Sequence, residues 1–189
     1  MWNLPNKLTM LRMVMTLIFL VMFTVKIPYH ILIAFFLFGF ASLTDAFDGR
    51  IARSRNLVTN FGKLTDPLAD KMLTTAAFLG LMSMGYCNVW IVFLILFREF
   101  GISSVRLLAA SQGVVIPANI WGKIKTTMMM TLVPTAMFLV SLKEDFGVLS
   151  DTFPLVTVSN ILCGITCLAA IVSGIIYVVQ STKIIDFSK

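Results

Sequence analysis

Long uncharged apolar stretches constrain this chain more than any other feature. Residues 72–97 form an uncharged run of 26 residues, and residues 27–44 are also free of charge. A helix of ~20 apolar residues spans a hydrocarbon core of ~30 Å. The longer run therefore predicts two spans that turn at Gly85-Tyr86-Cys87-Asn88. Further spans are predicted at about 8–25, 126–142 and 154–180.

These spans predict an all-α integral membrane protein with six transmembrane helices and a short N-terminal juxtamembrane segment. No repeat or linker interrupts the chain, so residues 1–189 are expected to form a single domain. The first span follows Lys7 and is short, as in a signal peptide. It leads directly into the next span without a small-residue cleavage site, so we expect it to be retained.

Basic residues are unequally divided between the two predicted faces of the membrane. Six spans put both termini on one face, and that face carries thirteen of the fifteen Lys and Arg residues. Lys26 and Lys143 alone lie on the other. The positive-inside rule then predicts that both termini face the cytoplasm. The net charge of +6 favours anionic lipids or phosphorylated substrates. Nucleic acid is not an expected partner, since there is no soluble basic domain.

Four of the nine acidic residues lie within residues 45–70, at the ends of two apolar segments. Helix positions separated by three, four or seven residues share a face. Two such faces are predicted, and both belong to the cytoplasmic side. The first contains Asp45, Asp48, Gly49 and Ala52, and the second contains Gly62, Asp66 and Asp70.

The second helix has two possible starts, because Pro67 is unfavourable deep inside a helix. It either begins near Asp66 or runs through the proline, and both leave Asp66 and Asp70 one turn apart. If the helices pack together, four carboxylates converge and repel one another. Two divalent cations, Mg²⁺ or Mn²⁺, would compensate them and clamp a pyrophosphate, with Arg53 available to the phosphate. Helix capping and pairing with nearby cations is the alternative, which the spacing of four aspartates disfavours.

The pattern D-x-x-D-G-x-x-A-R-x8-G-x-x-x-D-x-x-x-D resembles the signature of the CDP-alcohol phosphotransferase family, and the resemblance covers the whole chain. Such enzymes join a CDP-linked lipid to an alcohol and release CMP. The resemblance implies that Asp45, Asp48 and Asp66 hold the metals, with Asp70 beside them as general base. It also implies a homodimer in the inner or plasma membrane of a bacterial cell. The implied contacts to CDP-diacylglycerol are Asn6, Thr9, Gly49, Ala52, Arg53 and Thr59.

A cluster of cations bears on the acceptor alcohol. Arg98 lies ~14 Å from the outer end of its predicted helix, near the membrane centre. Arg106, Lys123 and Lys125 fall near the cytoplasmic interface, at the level of the aspartates. Such a cluster predicts an acceptor that carries its own phosphate. The alternative is that Arg98 pairs with Glu99 and that the lysines serve topology alone.

Four local segments resemble the branch of the family whose acceptor is sn-glycerol 3-phosphate and whose product is phosphatidylglycerophosphate. They are residues 5–9, 56–63, 98–106 and 122–126. The same scaffold could instead take phosphatidylglycerol, serine or an inositol phosphate. A membrane prenyltransferase leaves the D-G-x-x-A-R element unexplained. A non-enzymatic cation transporter predicts carboxylates near mid-membrane on several spans, which this sequence lacks.

Overall fold

Six α-helices form the secondary structure of the residues that the computed structural model describes. These residues are 4–54, 60–114, 116, 119–182 and 184. The helices are α1 (Leu4–Met22), α2 (His30–Ser54), α3 (Asn60–Ser83), α4 (Val89–Ser111), α5 (Ile120–Glu144) and α6 (Leu155–Ser181). The all-α prediction is confirmed for this part of the chain. The predicted juxtamembrane segment is helical from Leu4 and continuous with α1.

Local sequence explains where several helices begin and turn. Asn88 caps α4 by accepting a hydrogen bond from the Trp90 amide at 2.9 Å, and Asn119 caps α5 in the same way. Gly85 takes φ +80° in the turn between α3 and α4, a conformation that glycine adopts without strain. Helix α3 runs through Pro67, so of the two predicted starts the earlier one forms.

The helices pack in two groups joined by α5. Helix α1 lies against α2 and α3, α4 lies against α6, and α5 contacts both α2 and α6. The centre of the first group is aromatic, because Phe19, Phe38 and Phe78 from three different helices are almost completely buried there. In the second group, Val133 and Met137 of α5 are equally buried. Packing within the two groups sets where the helix ends lie relative to one another.

The turns at one end of the bundle, here named the loop end, are tied together by polar contacts. The loop end comprises residues 23–29, 84–88 and 145–154. Asp145 accepts a hydrogen bond from the Leu32 amide at 2.7 Å, which satisfies a donor at the start of α2. The Tyr86 hydroxyl donates to Glu144. Burial raises the pKa of Tyr86, and the hydrogen bond to the carboxylate adds to the rise, so the phenol stays protonated as a donor.

The outer surface of the bundle is rich in large apolar side chains. Phe36, Phe97 and Leu107 are 64%, 69% and 74% exposed. So many exposed large apolar side chains favour contact with lipid or protein over contact with water. Among the described helices, α5 and α6 have the length and apolar composition to cross a membrane, and α2 has a shorter apolar section, His30–Thr44. The six-span prediction is thus supported in part. Charged residues inside α1, α3 and α4 interrupt their apolar stretches.

Gly80 of α3 lies against Phe23, the residue that follows α1, and its substitution tests that packing. A Cβ atom at Gly80 would lie 2.5 Å from the ring of Phe23. We expect Gly80→Ala to destabilise the protein by about 1–3 kcal/mol, since the buried ring has to move. Gly39→Ala is the matched control, because a Cβ there meets nothing within 4 Å. Thermal unfolding in detergent should separate the two variants; equal melting temperatures would contradict this packing.

Candidate active site

The predicted aspartates occupy the end of the bundle opposite the loop end, here named the aspartate end, where α2 finishes and α3 begins. Helix α2 carries Asp45 and Asp48 one turn apart, and the structure describes only the backbone there. Helix α3, which contacts α2, carries Asp66 and Asp70. Asp66 is exposed and Asp70 is half-buried. The structure thus brings the two predicted motifs to one end. Thr59 lies outside the described residues.

Helix α1 contributes a row of buried polar side chains to the aspartate end. The Thr9 hydroxyl donates to Asp66 Oδ1 at 2.6 Å, and Thr9 itself is buried. Asn6 and Arg12 lie one turn on either side of Thr9 and are 4% and 1% exposed. Sequence reasoning used Arg12 only as a topological charge. Arg12 follows Thr9 by three residues and Asn6 by six, a spacing that places all three on one face of a helix. This spacing could have predicted that the face is buried.

The residues at the aspartate end suit a hard divalent cation. Carboxylate oxygens are the ligands that Mg²⁺ and Mn²⁺ prefer. A hydrogen bond that fixes a carboxylate, as Thr9 fixes Asp66, is the usual support of a metal ligand. Among the described side chains, no three acidic, His or Cys residues group closely enough to hold a metal. Asp66 and Asp70 therefore do not form such a group by themselves, and a metal site here would also require Asp45 and Asp48.

A cavity of about 900 Å³ opens beside Asp70, between α3, α4, α5 and α6. Its wall contains all four residues predicted to bind the acceptor phosphate, so the structure brings them together with Asp70. In the described lining, cations outnumber carboxylates five to two. The cations are Lys71, Arg98, Arg106, Lys123 and Lys125, and the carboxylates are Asp70 and Glu99. The cavity is therefore suited to a small, multiply charged anion.

Glu99 forms ion pairs with two cations of the cavity. Arg98 Nη1 donates to Glu99 Oε1 at 3.0 Å, and Lys125 of α5 forms an ion pair with the same oxygen. Lys125 is buried, with 8% exposure. The alternative that Arg98 pairs with Glu99 is therefore borne out in the geometry, yet Arg98 also lines the cavity. The ion pair of Lys125 with Glu99 links α5 to α4.

Lys71 and Ser103 extend this network and were missed from the sequence. The Lys71 ammonium donates to the Ser103 hydroxyl, and that hydroxyl donates to the Glu99 carbonyl oxygen at 2.7 Å. Lys71 immediately follows Asp70 in the chain, and this adjacency was the signal that sequence reasoning left unused. Asp70 and Lys71 both line the cavity, so α3 contributes a carboxylate and an ammonium group to its wall.

Two regions of different charge meet at one end of the bundle. The carboxylates of Asp66 and Asp70 on α3 form a region suited to a metal ion, and the cations on α4 and α5 form a region suited to an anion. Asp70 belongs to both, because it follows Asp66 by one helical turn and also lines the cavity. A carboxylate beside a bound alcohol can accept its proton. Proton abstraction next to a metal-bound phosphate is the chemistry that this geometry can support.

Comparison with known proteins finds a matching family and several similar proteins. The model of the CDP-alcohol phosphatidyltransferase family matches residues 2–175. A relative from Bacillus subtilis (strain 168), named CDP-diacylglycerol--glycerol-3-phosphate 3-phosphatidyltransferase, is 43% identical over 138 residues, covering 67% of this chain and 72% of the relative. A Mycobacterium tuberculosis (strain H37Rv) protein, named probable phosphatidylglycerophosphate synthase, is 34% identical over 184 residues, covering 96% and 82%. A Mycoplasma pneumoniae protein with the former name is 37% identical over 162 residues, covering 75% and 71%.

Replacement of Glu99 tests whether its carboxylate holds the cavity together. We expect Glu99→Gln to lower stability by about 2 kcal/mol, the scale of a hydrogen bond to a charged group, because buried Lys125 loses its counter-charge. That loss corresponds to a melting temperature lower by about 4–8 °C. Asp151→Asn is the control, since Asp151 pairs with Lys143 at 3.6 Å on the exposed surface. A Glu99→Gln melting temperature equal to that of the control would contradict the structural role.

Proposed function

The chain belongs to the CDP-alcohol phosphatidyltransferase family, and from this premise we propose that it transfers a phosphatidyl group from CDP-diacylglycerol to sn-glycerol 3-phosphate. The products are phosphatidylglycerophosphate and CMP. Relatives at 34–43% identity carry names that state this reaction or its product. The proposal extends the reaction to this chain on the basis of its own residues.

One observation carries the proposal: Asp70, the last aspartate of the signature, lines the cation-rich cavity. An acceptor that carries a phosphate can lodge that phosphate among Arg98, Arg106 and the lysines. Its hydroxyl then lies next to the Asp70 carboxylate. A neutral polyol would leave this positive charge uncompensated. The cavity therefore supports a phosphorylated acceptor within the family reaction.

The chain's own residues account for the steps of transfer. The cations hold the acceptor's phosphate, which converts a bimolecular encounter into a positioned attack. Asp70 accepts the proton of the acceptor hydroxyl as its oxygen forms a bond to the lipid-linked phosphorus. The bond from that phosphorus to the CMP oxygen breaks, and CMP leaves. Positioning and electrostatic stabilisation supply most of the acceleration in phosphoryl transfers.

The proposed cofactors are two divalent cations, Mg²⁺ or Mn²⁺, in keeping with a family that depends generally on divalent metals. The proposed ligands are Asp45, Asp48, Asp66 and Asp70. When bound, such ions neutralise the pyrophosphate and draw charge from the phosphorus under attack. The Thr9 hydroxyl holds Asp66 in orientation for this role. Thr9 is thereby proposed as a support of the metal site as well as a neighbour of the nucleotide.

The nucleotide is proposed to lie over the end of α2. Gly49 and Ala52 leave room for the CDP group, and Arg53 supplies a charge-assisted contact to phosphate. Asn6 of α1 is buried one turn before Thr9, at the same end of the bundle. Thr59 completes the proposed set of contacts. The assignments of Gly49, Ala52 and Arg53 follow the family signature. Those of Asn6, Thr9 and Thr59 follow positions outside the signature that resemble the nucleotide site of relatives.

We propose that all six helices cross the membrane of a bacterial cell, with the aspartate end and both termini in the cytoplasm. The exposed apolar surface and the unequal division of basic residues support this orientation. Membrane lipids then surround the bundle and deliver CDP-diacylglycerol laterally. The functional unit is proposed to be a homodimer.

The proposed function is tested by CMP release from detergent-purified protein given CDP-diacylglycerol and Mg²⁺. Acceptors are supplied in parallel: glycerol 3-phosphate, phosphatidylglycerol, serine and inositol phosphate. We expect release with glycerol 3-phosphate alone. Release with a different alcohol would retain the family reaction and refute the acceptor. No release with any acceptor, from protein that unfolds cooperatively, would refute the enzyme assignment.

Asp70→Asn separates proton transfer from substrate binding. We expect turnover to fall by about 10²–10⁴-fold, the usual contribution of a general base, because the amide cannot accept the proton. Binding of CDP-diacylglycerol, measured by equilibrium binding of radiolabelled lipid, should remain close to wild type. Loss of lipid binding together with turnover would instead make Asp70 chiefly a metal ligand.

Arg106→Gln tests the proposed contact with the acceptor phosphate. The KM for glycerol 3-phosphate should rise by about tenfold or more, as for a lost hydrogen bond to a charged group. The KM for CDP-diacylglycerol should change little. Lys26→Gln is the control, because it removes a cation from the loop end. Equal effects of Arg106→Gln on both substrates would remove Arg106 from the acceptor site.

A further inference from the structure

One face of α6 lies against the two arginines of the cavity. The face consists of Ala170, Ser173, Gly174 and Tyr177, here named the arginine seat. Their offsets of three, four and seven residues place them on one side of a helix. All four residues are buried, and none is charged. Apart from the tyrosine hydroxyl and one serine, the segment reads as an ordinary apolar helix.

Arg98 of α4 is held at three atoms by polar contacts. Its Nε donates to the Ala170 carbonyl oxygen at 3.1 Å, and its Nη2 donates to Ser173 Oγ at 2.9 Å. Its Nη1 donates to Glu99. These contacts of the described residues use three of the five N–H donors of a guanidinium. The side chain is therefore fixed while keeping donors for a ligand in the cavity.

The absence of a side chain at position 174 makes room for Arg98. A Cβ atom on Gly174 would lie 2.9 Å from Arg98 Cγ and 3.3 Å from Arg98 Nε. The aliphatic part of the arginine therefore lies directly against the α6 backbone. The glycine sets how close the guanidinium comes to the carbonyl oxygen that binds it.

Arg106 is held by Tyr177 in two ways. Its Nε donates to the Tyr177 hydroxyl at 3.3 Å, and its guanidinium carbon lies 5.6 Å from the centre of the Tyr177 ring. A cation over an aromatic face at this distance is attracted by the ring. Arg106 is exposed to the cavity, whereas Tyr177 is only 5% exposed. A buried tyrosine thus contacts an exposed arginine through both its hydroxyl and its ring.

We infer that the arginine seat positions Arg98 and Arg106 for the phosphate of the acceptor, so that α6 sets acceptor affinity without touching the reacting atoms. The inference rests on the proposed function. A flexible arginine loses rotamer freedom when it binds a ligand, and an arginine already restrained loses less. Ser173 and Tyr177 are therefore positioning residues. Their loss weakens acceptor binding while leaving the lipid substrate and the proton transfer in place.

Tyr177→Phe and Gly174→Ala test the arginine seat separately. The first removes the hydroxyl and keeps the ring, and the second pushes Arg98 away from α6. Each should raise the KM for glycerol 3-phosphate by about threefold to tenfold, the range of one hydrogen bond. The KM for CDP-diacylglycerol and kcat should stay near wild type, which general damage to the fold would not produce.

The chain supplies matched controls for both substitutions. Tyr86→Phe removes the hydroxyl of an equally buried tyrosine at the loop end. Gly164→Ala adds a methyl group to the same helix, where the nearest atom is Ile91 Cδ1 at 4.0 Å. Neither control should change the KM for glycerol 3-phosphate. An equal rise in a control and its partner variant would overturn the inference.

A double-mutant cycle shows whether Tyr177 acts through Arg106. Arg106→Lys removes the Nε donor but keeps the charge, so Tyr177→Phe should add little to its effect on KM. Additive effects would overturn the positioning role. The wild-type assay separates the two proposals: no CMP release with glycerol 3-phosphate refutes the proposed function. An active wild type with unchanged KM in both seat variants refutes the arginine seat alone.

Discussion

Charged groups in this molecule require solvent or compensating partners, because apolar surroundings do not solvate them. The helices satisfy this constraint by bringing the carboxylates of α3 and the cations of α4 and α5 to the same level. Helix α3 is the connection between them. Asp66 is bound by Thr9 of α1, and one turn later Asp70 enters the wall of the cavity. The proposed metal site and the proposed acceptor site are therefore neighbours because they share a helix.

The cavity remains stable because its cations are partly compensated from inside the protein. Glu99 binds Arg98 and Lys125, and the arginine seat supplies neutral acceptors from α6. A buried charge without such partners is costly. The compensation is incomplete, since cations still outnumber carboxylates in the described lining. This residual charge is what an anionic acceptor would neutralise, so the same arrangement serves stability and recognition.

Much of this account could be predicted from the sequence, because it depends on patterns within one helix. The helical fold, the turn at Gly85 and the spacing of Asp66 and Asp70 are of this kind. The four acceptor-phosphate residues were predicted as a cluster, and they line one cavity. The prediction of six spans is supported in part, for α5 and α6, since internal charges interrupt the apolar stretches of α1, α3 and α4.

Contacts between helices could not be predicted, because they depend on how the helices are rotated against each other. The hydrogen bond from Thr9 to Asp66 joins residues far apart in the chain. The ion pair of Lys125 with Glu99 likewise joins α5 to α4. Tyr177 is the clearest example. In sequence it is one aromatic residue in an apolar helix, and only the packing of α4 on α6 brings it under Arg106.

In the proposed mechanism one site serves both substrates, with Asp70 between them. The most direct measurement is an experimental structure of the protein with CDP, Mn²⁺ and glycerol 3-phosphate bound together. We expect the acceptor's phosphate against Arg98 and Arg106, with a free hydroxyl facing the Asp70 carboxylate and the metal ions on the other side of that carboxylate. Glycerol 3-phosphate bound outside the cavity, or with every hydroxyl turned away from Asp70, would contradict it.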